Sequence, residues 1–195
     1  ENPFAFLNTA QERVLSLVYL HFRYILVLVW PLQLSAEYAF DCIPKVSDIS
    51  DWRNVYSFST YALVAAVGLY SLHSMIDGLL VAICWFIVTF VPMSGVFLTL
   101  GTLLAERLLY IPSIGFCIVS ALLLQRISEI TGARRQGLFA AAALVVSLYS
   151  LRTIQRNPDW ADDATLHLAS LRVCPRSAKL NLQVGHGVVH CAGEG

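Results

Sequence analysis

Between Leu79 and Ala105 the chain runs 27 residues without one charged side chain, then meets Glu106-Arg107 before Leu108-Leu109-Tyr110-Ile111-Pro112 resumes the apolar text. A run of that length is buried in a large core or in hydrocarbon, and it sets an acid and a base at the edge of whatever covers it. Composition decides for the membrane. Hydrophobic residues make up 57% of the chain and charged residues 13%, and the mean hydropathy is +0.65, far from the usage of water-soluble domains. Thirteen basic and thirteen acidic residues cancel, so bulk charge implies no nucleic-acid partner and recognition has to come from local sites.

Five apolar runs occupy residues 15–34, 56–72, 79–104, 108–124 and 138–151. A helix needs about 20 residues to cross the lipid bilayer, so the expected fold is an all-α membrane domain over 1–151 with about five spans. The third run is too long for one straight helix and holds Pro92-Met93-Ser94-Gly95 at its middle, which predicts a break covered by protein or water. Glu1-Asn2-Pro3-Phe4 lacks the basic region and cleavage site of a signal peptide, and reads as the later part of a larger protein. Arg126, Arg134 and Arg135 crowd the connection between the last two runs, whereas residues 36–55 carry Glu37, Asp41, Asp48 and Asp51. The positive-inside rule then makes the arginine loop cytosolic, and places residues 36–55, the Glu106 edge and the tail after Arg152 on the lumenal side.

The tail, 152–195, changes character. After Asn157-Pro158-Asp159-Trp160, the acids Asp162-Asp163 stand where a helix begins, and Leu166, Ala169 and Val173 recur at helical spacing. Pro175 ends that helix, and Ser177 offers a cap for a second one carrying Leu180 and Val184. Helix, proline turn, helix is the grammar of a tetratricopeptide array, of which about one repeat is present.

Glu106 and Arg107 are neighbours and diverge by about 100 degrees on a helix, so one can enter a cavity while the other meets the interface. With Tyr110 a turn further, they form a polar cluster suited to a phosphate-bearing lipid head group, the guanidinium gripping phosphate oxygens. A charged pair anchoring a helix end at the bilayer boundary is the plainer alternative. Arg23 lies inside the first apolar run, where a cation needs a partner or a wet cavity unless it snorkels. Asp41 reads first as a solvated loop acid and second as a lumenal-loop site. His186 and His190 are four apart, but no Glu follows the first and no third ligand is near, so no metal and no cofactor is expected. Cys42, Cys84, Cys117, Cys174 and Cys191 have no paired spacing and support neither a metal cage nor a disulfide framework, although Cys42 and Cys174 would share the lumenal side.

The thirteen residues from Ala105-Glu106-Arg107-Leu108-Leu109-Tyr110 through Ile111-Pro112-Ser113-Ile114-Gly115-Phe116-Cys117 resemble the signature of the TMTC family, transmembrane O-mannosyltransferases that act on cadherins and carry C-terminal tetratricopeptide repeats. Pro31-Leu32-Gln33-Leu34-Ser35-Ala36-Glu37-Tyr38 and Asp51-Trp52-Arg53-Asn54 resemble the middle of that family, and Val173-Cys174-Pro175-Arg176-Ser177-Ala178-Lys179 resembles its passage into the first repeat. The resemblance implies a GT-C type glycosyltransferase in the endoplasmic reticulum membrane. It would transfer mannose from dolichyl-phosphate mannose to Ser or Thr of lumenal, cadherin-like acceptor proteins. Glu106, Arg107 and Tyr110, joined by Arg23, would then bind the donor's lipid phosphate. The resemblance also implies a catalytic acid in a first lumenal loop that is not seen here, so no catalytic residue is assigned. The chain, taken as a membrane part truncated at both ends, is expected to be inactive alone. A non-catalytic membrane adaptor presenting tetratricopeptide helices to protein partners is the alternative, and a transporter is disfavoured because the two halves show no inverted repeat.

Overall fold

The computed structural model describes residues 4, 7, 9–97, 101–132 and 135–193, with the side chains of Arg135 and of 186–193 excepted. Seven α-helices account for most of these residues, and the only extended pairing among them is an isolated bridge between Tyr38 and Leu104. Helix α1 (Ala10–Val29) starts at Thr9, whose hydroxyl accepts the Glu12 amide at 3.2 Å. Its buried face carries Leu15, Ser16, Tyr19, Leu20 and Tyr24, a helical repeat turned toward one side. Helix α2 (Arg53–His73) follows a loop tied down by the Asp51–Arg53 ion pair. Burial is slight along α2, where large apolar side chains such as Phe58, Leu63 and Leu69 are exposed.

Helix α3 (Asp77–Phe90) ends after 14 residues in a 3-10 turn at Val91–Met93. Pro92 fixes the backbone of that turn and Gly95, at φ 76°, swings the chain away. The break therefore falls where the Pro92-Met93-Ser94-Gly95 run suggested. Helix α4 (Tyr110–Thr131) runs back along α3: Trp85 Nε1 donates to the Ile111 carbonyl at 3.2 Å, Gly115 meets Ala82 and Phe86, and Leu79 and Leu122 line one small cavity. A Cβ on Gly115 would stand 2.6 Å from the Ala82 carbonyl oxygen and 2.9 Å from the Phe86 amide. Close approach of two backbones through a small residue is how helices associate where the surroundings are themselves apolar. Gly132, at φ 64°, closes α4 in the left-handed conformation, its amide bonded to the Ser128 carbonyl.

Helix α5 (Arg135–Arg156) returns to the end of α1, where the Tyr149 hydroxyl reaches the carbonyls of Leu28 (2.6 Å) and Val29 (3.0 Å). A 3-10 turn at Asn157–Trp160 leads to α6 (Asp163–Val173), which opens on a reciprocal capping box between Asp162 and Thr165. The expected turn at Pro175 and cap at Ser177 then deliver α7 (Ala178–Gly193) against α6.

Three stretches, Arg53–His73, Glu106–Thr131 and Gln136–Trp160, are long and apolar enough to cross a membrane, so this is a membrane chain by length and composition. Among the described residues, three of the about five expected spans meet that measure. Helix α3 stops too soon, and α1 carries Glu12, Arg13, His21 and Arg23 along its length. Arg134 and the Arg135 side chain lie outside the described residues, and Arg126 is paired with Glu129 at 2.7 Å.

Residues 33–46, Glu106 and the tail helices meet at one end of the molecule, around a core of Tyr24, Tyr38, Ile43, Val46, Leu103, Leu104 and Leu180. There the reading of the cysteines needs correction: Cys42 and Cys174, 132 residues apart, form a disulfide with their Cα atoms 4.9 Å apart. Sequence spacing could not report a pair that only the return of α5 brings together.

Two outcomes follow. Gly115→Leu should force α3 off α4 and lower stability by about 1–3 kcal/mol, read as an earlier thermal transition in detergent. A non-reducing peptide map should recover the Cys42 and Cys174 peptides as one species that separates on reduction; two separate peptides would remove the bond from the account.

Candidate functional site

The Glu106 end of the molecule is built on Tyr38. Its side chain is fully buried, and its backbone amide donates to the Leu104 carbonyl at 3.2 Å. The phenol shares its one proton between the Gln33 carbonyl (2.8 Å) and Glu106 Oε1 (3.2 Å), and accepts the Ser35 amide at 3.1 Å. Burial first, and then the neighbouring Glu106 carboxylate, push the phenol above its ordinary pKa. It is accordingly a proton donor at every physiological pH.

The charges of three guanidinium groups reach this pair. Arg156 is only 8% exposed; its Nη1 donates to Asp159 Oδ2 at 2.8 Å, while Nε and Nη2 are buried without a hydrogen-bond partner. Arg152, one turn earlier on the same helix, donates through Nε to the Pro31 carbonyl at 2.8 Å and through Nη2 to Leu32. The charges of both reach the Glu106 carboxylate. Arg23, half-buried on α1, has its Nε buried and unpartnered, and its charge reaches the Tyr38 phenol. Unmet donors in a buried place cost free energy unless an acceptor joins them. Arginine forks suit the oxygens of a phosphate or carboxylate.

Of the residues singled out from sequence, Glu106 accepts the Tyr38 hydroxyl, and Arg23 reaches the same phenol through its charge. Arg107 and Tyr110 do not join them: both are exposed, Tyr110 to 80%. The reason is local. Residues Glu106–Leu109 form a 3-10 turn after extended Ala105, and at three residues per turn positions 106 and 110 fall on different sides. Asp41 sits exposed on a short turn, Phe40–Cys42, outside the cluster. The side chains of His186, His190 and Cys191 lie outside the described residues.

Sequence reasoning missed Arg152, Arg156 and Tyr38 as site residues. The spacing 149, 152, 156 puts Tyr149 and both arginines on one face of α5, which is the signal that was available. Tyr38 lay within the block that carried the family resemblance, without a chemical reason attached to it.

The family profile described as "Protein O-mannosyl-transferase TMTC, DUF1736" matches residues 1–65. Protein O-mannosyl-transferase TMTC3 of Mus musculus is 33% identical over 177 residues, covering 87% of this chain and 19% of that protein. Tmtc3 of Drosophila melanogaster is 30% identical over 194 residues, covering 96% and 21%. TMTC4 of Homo sapiens is 28% identical over 191 residues, covering 95% and 25%. The chain thus spans about a fifth to a quarter of the length of these curated relatives. No solved structure matches it. The profile match over residues 1–65 and the identity along most of the chain agree: this chain belongs to the TMTC family.

Proposed function

We propose that this chain contributes the donor-binding part of a protein O-mannosyltransferase of the endoplasmic reticulum membrane, a GT-C type enzyme. The donor is dolichyl-phosphate mannose, and the acceptors are Ser or Thr hydroxyls of lumenal, cadherin-like proteins. The observation that carries this reading is the buried guanidinium of Arg156, two of whose donors lack a partner while its charge reaches Glu106. Such a group stabilises an anion through charge-assisted hydrogen bonds, and Arg23 adds a second unmet donor near the same phenol. Arg107 and Tyr110, exposed at the start of α4, meet the donor's lipid-side approach. Five helices, α1 to α5, contribute to the membrane part in this reading, with α3 ending at membrane depth and α1 sheltered by protein.

Lumenal placement of the site is supported by the Cys42–Cys174 bond, because disulfides persist in oxidising compartments. It ties residues 33–46 and the tail to one side, the side that the arginine-poor loop was expected to face. The mechanistic part these residues play is binding and orientation. Tyr38, kept un-ionised, donates a hydrogen bond to Glu106 and holds that carboxylate in place, while the arginines neutralise the phosphate that departs with the lipid. Helices α6 and α7 begin the tetratricopeptide array, and the exposed Leu168 and Leu182 favour its continuation or a protein partner. That same feature supports the second reading, a membrane adaptor without catalysis.

The test is microsomal transfer of labelled mannose from dolichyl-phosphate mannose, with the substitutions placed in a complete TMTC protein. Arg156→Ala should raise the donor KM by about tenfold or more, the loss expected when a charged hydrogen bond to a ligand is removed. Arg107→Ala should raise it less, in keeping with exposure. A donor dependence that is unchanged in Arg156→Ala sinks the donor-site assignment, and no transfer by the unsubstituted protein favours the adaptor.

A further inference from the structure

Residues 33–38 are held from two sides. On the membrane side, Tyr38 bonds Glu106 and pairs with Leu104, and the Ser35 amide closes onto the Tyr38 hydroxyl. On the other side stand three ties from α6 and α7. The Ser170 hydroxyl accepts the Ala36 amide at 3.1 Å, Lys179 Nζ meets Glu37 Oε1 at 2.8 Å, and Cys174 is bonded to Cys42. The ties come from both helices and from the turn between them, and they land on both sides of Tyr38. Both members of the Lys179–Glu37 pair are mostly buried, at 26% and 17% exposure, so it is less screened than a surface pair. Between Tyr38 and Cys42 stands Phe40 at φ 54°. That is a left-handed conformation a bulky residue adopts only where its surroundings over-determine it. Cys174 and Leu180 also join the same core cluster as Tyr38.

We propose that the α6–α7 pair is a positioning element of the anion site, pressing residues 33–38 against Glu106 so that the Tyr38–Glu106 contact is held within reach of the arginine charges. Its consequence for binding rests on the anion-site reading above; its effect on residues 33–38 does not. Ser170, Cys174 and Lys179 act through Ala36, Glu37 and Cys42, and touch no ligand themselves. A displacement of the tail helices, as when further helices or a protein partner pull on α7, is thereby transmitted to the site. The coupling element is a short segment with two sets of restraints, which is the kind of connection through which distant sites bias one another.

The experiment uses this chain in lipid nanodiscs with a short-chain polyprenyl phosphate, the matching polyprenol and inorganic phosphate as probes. Hydrogen exchange at residues 35–38 is followed alongside. The paired variant Cys42→Ser with Cys174→Ser should weaken polyprenyl phosphate binding about tenfold and speed exchange at 35–38, while α4 stays protected. Ser170→Ala and Lys179→Ala, which keep the disulfide, should move both readouts the same way by less, and Ser170→Thr and Lys179→Arg should restore them. Unchanged exchange at 35–38 in the paired variant and in both single ones overturns the proposal whatever the binding. Faster exchange in a chain whose parent form binds none of the probes supports the positioning role and removes the anion reading instead. Binding of polyprenol as tight as its phosphate also removes the anion reading, and equal competition by inorganic phosphate assigns the site to free phosphate; in both cases the exchange result decides the positioning role.

Discussion

The hydrogen bond between the buried Tyr38 phenol and Glu106 is the contact on which the membrane-edge organisation depends. It connects a loop, the start of a membrane helix and, through the loop's other restraints, the tail. Glu106 at the end of a 27-residue uncharged run would otherwise face its own desolvation cost with nothing nearby but an adjacent Arg107 that points elsewhere. Instead the carboxylate receives the phenol, and Arg156 and Arg152 supply positive potential from α5. The phenol in turn is fixed by Gln33 and Ser35, so it cannot rotate away without breaking three interactions. Cooperative networks of this kind specify one arrangement, because a half-satisfied version is worse than none.

Much of the fold was legible because periodicity and breakers act locally. Pro92 with Gly95, Pro175, and the Asp162 cap each set an element boundary through their own backbone chemistry. Span number was less legible, since a bare apolar run cannot report whether its helix lies in lipid or against protein. Residues 15–34 illustrate this: Tyr24 is fully buried in the protein and Arg23 half-buried beside it, so α1 is partly a core helix. At the site, Glu106 could be singled out from sequence because its place after an uncharged run is itself a local fact. What Arg156 and Cys174 face was not legible: Glu106 and Cys42 lie 50 and 132 residues away in sequence, and the chain reaches them only after α5 returns. The spacing of Glu106, Arg107 and Tyr110 was read as helical, whereas residues 106–109 adopt a 3-10 turn that leaves Arg107 and Tyr110 exposed.

The helix contacts sort by what surrounds them. Where α3 and α4 meet, Gly115 lets backbones touch, a device of apolar surroundings in which side-chain burial supplies little driving force. At the membrane edge, the cohesion changes to polar and covalent ties: the Cys42–Cys174 bond, Lys179 with Glu37, and Arg152 on the carbonyls that follow α1. Pro31 and Leu32 follow α1, and the Arg152 guanidinium satisfies both of their carbonyls while lending its charge to the negative end of the helix dipole. Arg152 therefore has a structural function besides the charge it lends Glu106.

Arg156 is a different case, and the comparison sharpens the site. Two arginines four apart on one helix face repel each other. Arg152 recovers that cost through Pro31 and Leu32, whereas Arg156 has one charged partner, Asp159, and two further donors buried without any. A purely structural guanidinium would be expected to spend its fork as Arg152 does, or to extend into solvent as long side chains at a span end readily can. Arg156 does neither. Held at the junction of α5 with the tail, beside a carboxylate already engaged by a phenol, it forms an arrangement whose energetics favour an added acceptor. A monoanionic phosphate with several oxygens matches that deficit better than a further neutral carbonyl, because it brings both hydrogen-bond acceptors for the unmet donors and a charge for the arginines that Glu106 and Asp159 leave in excess.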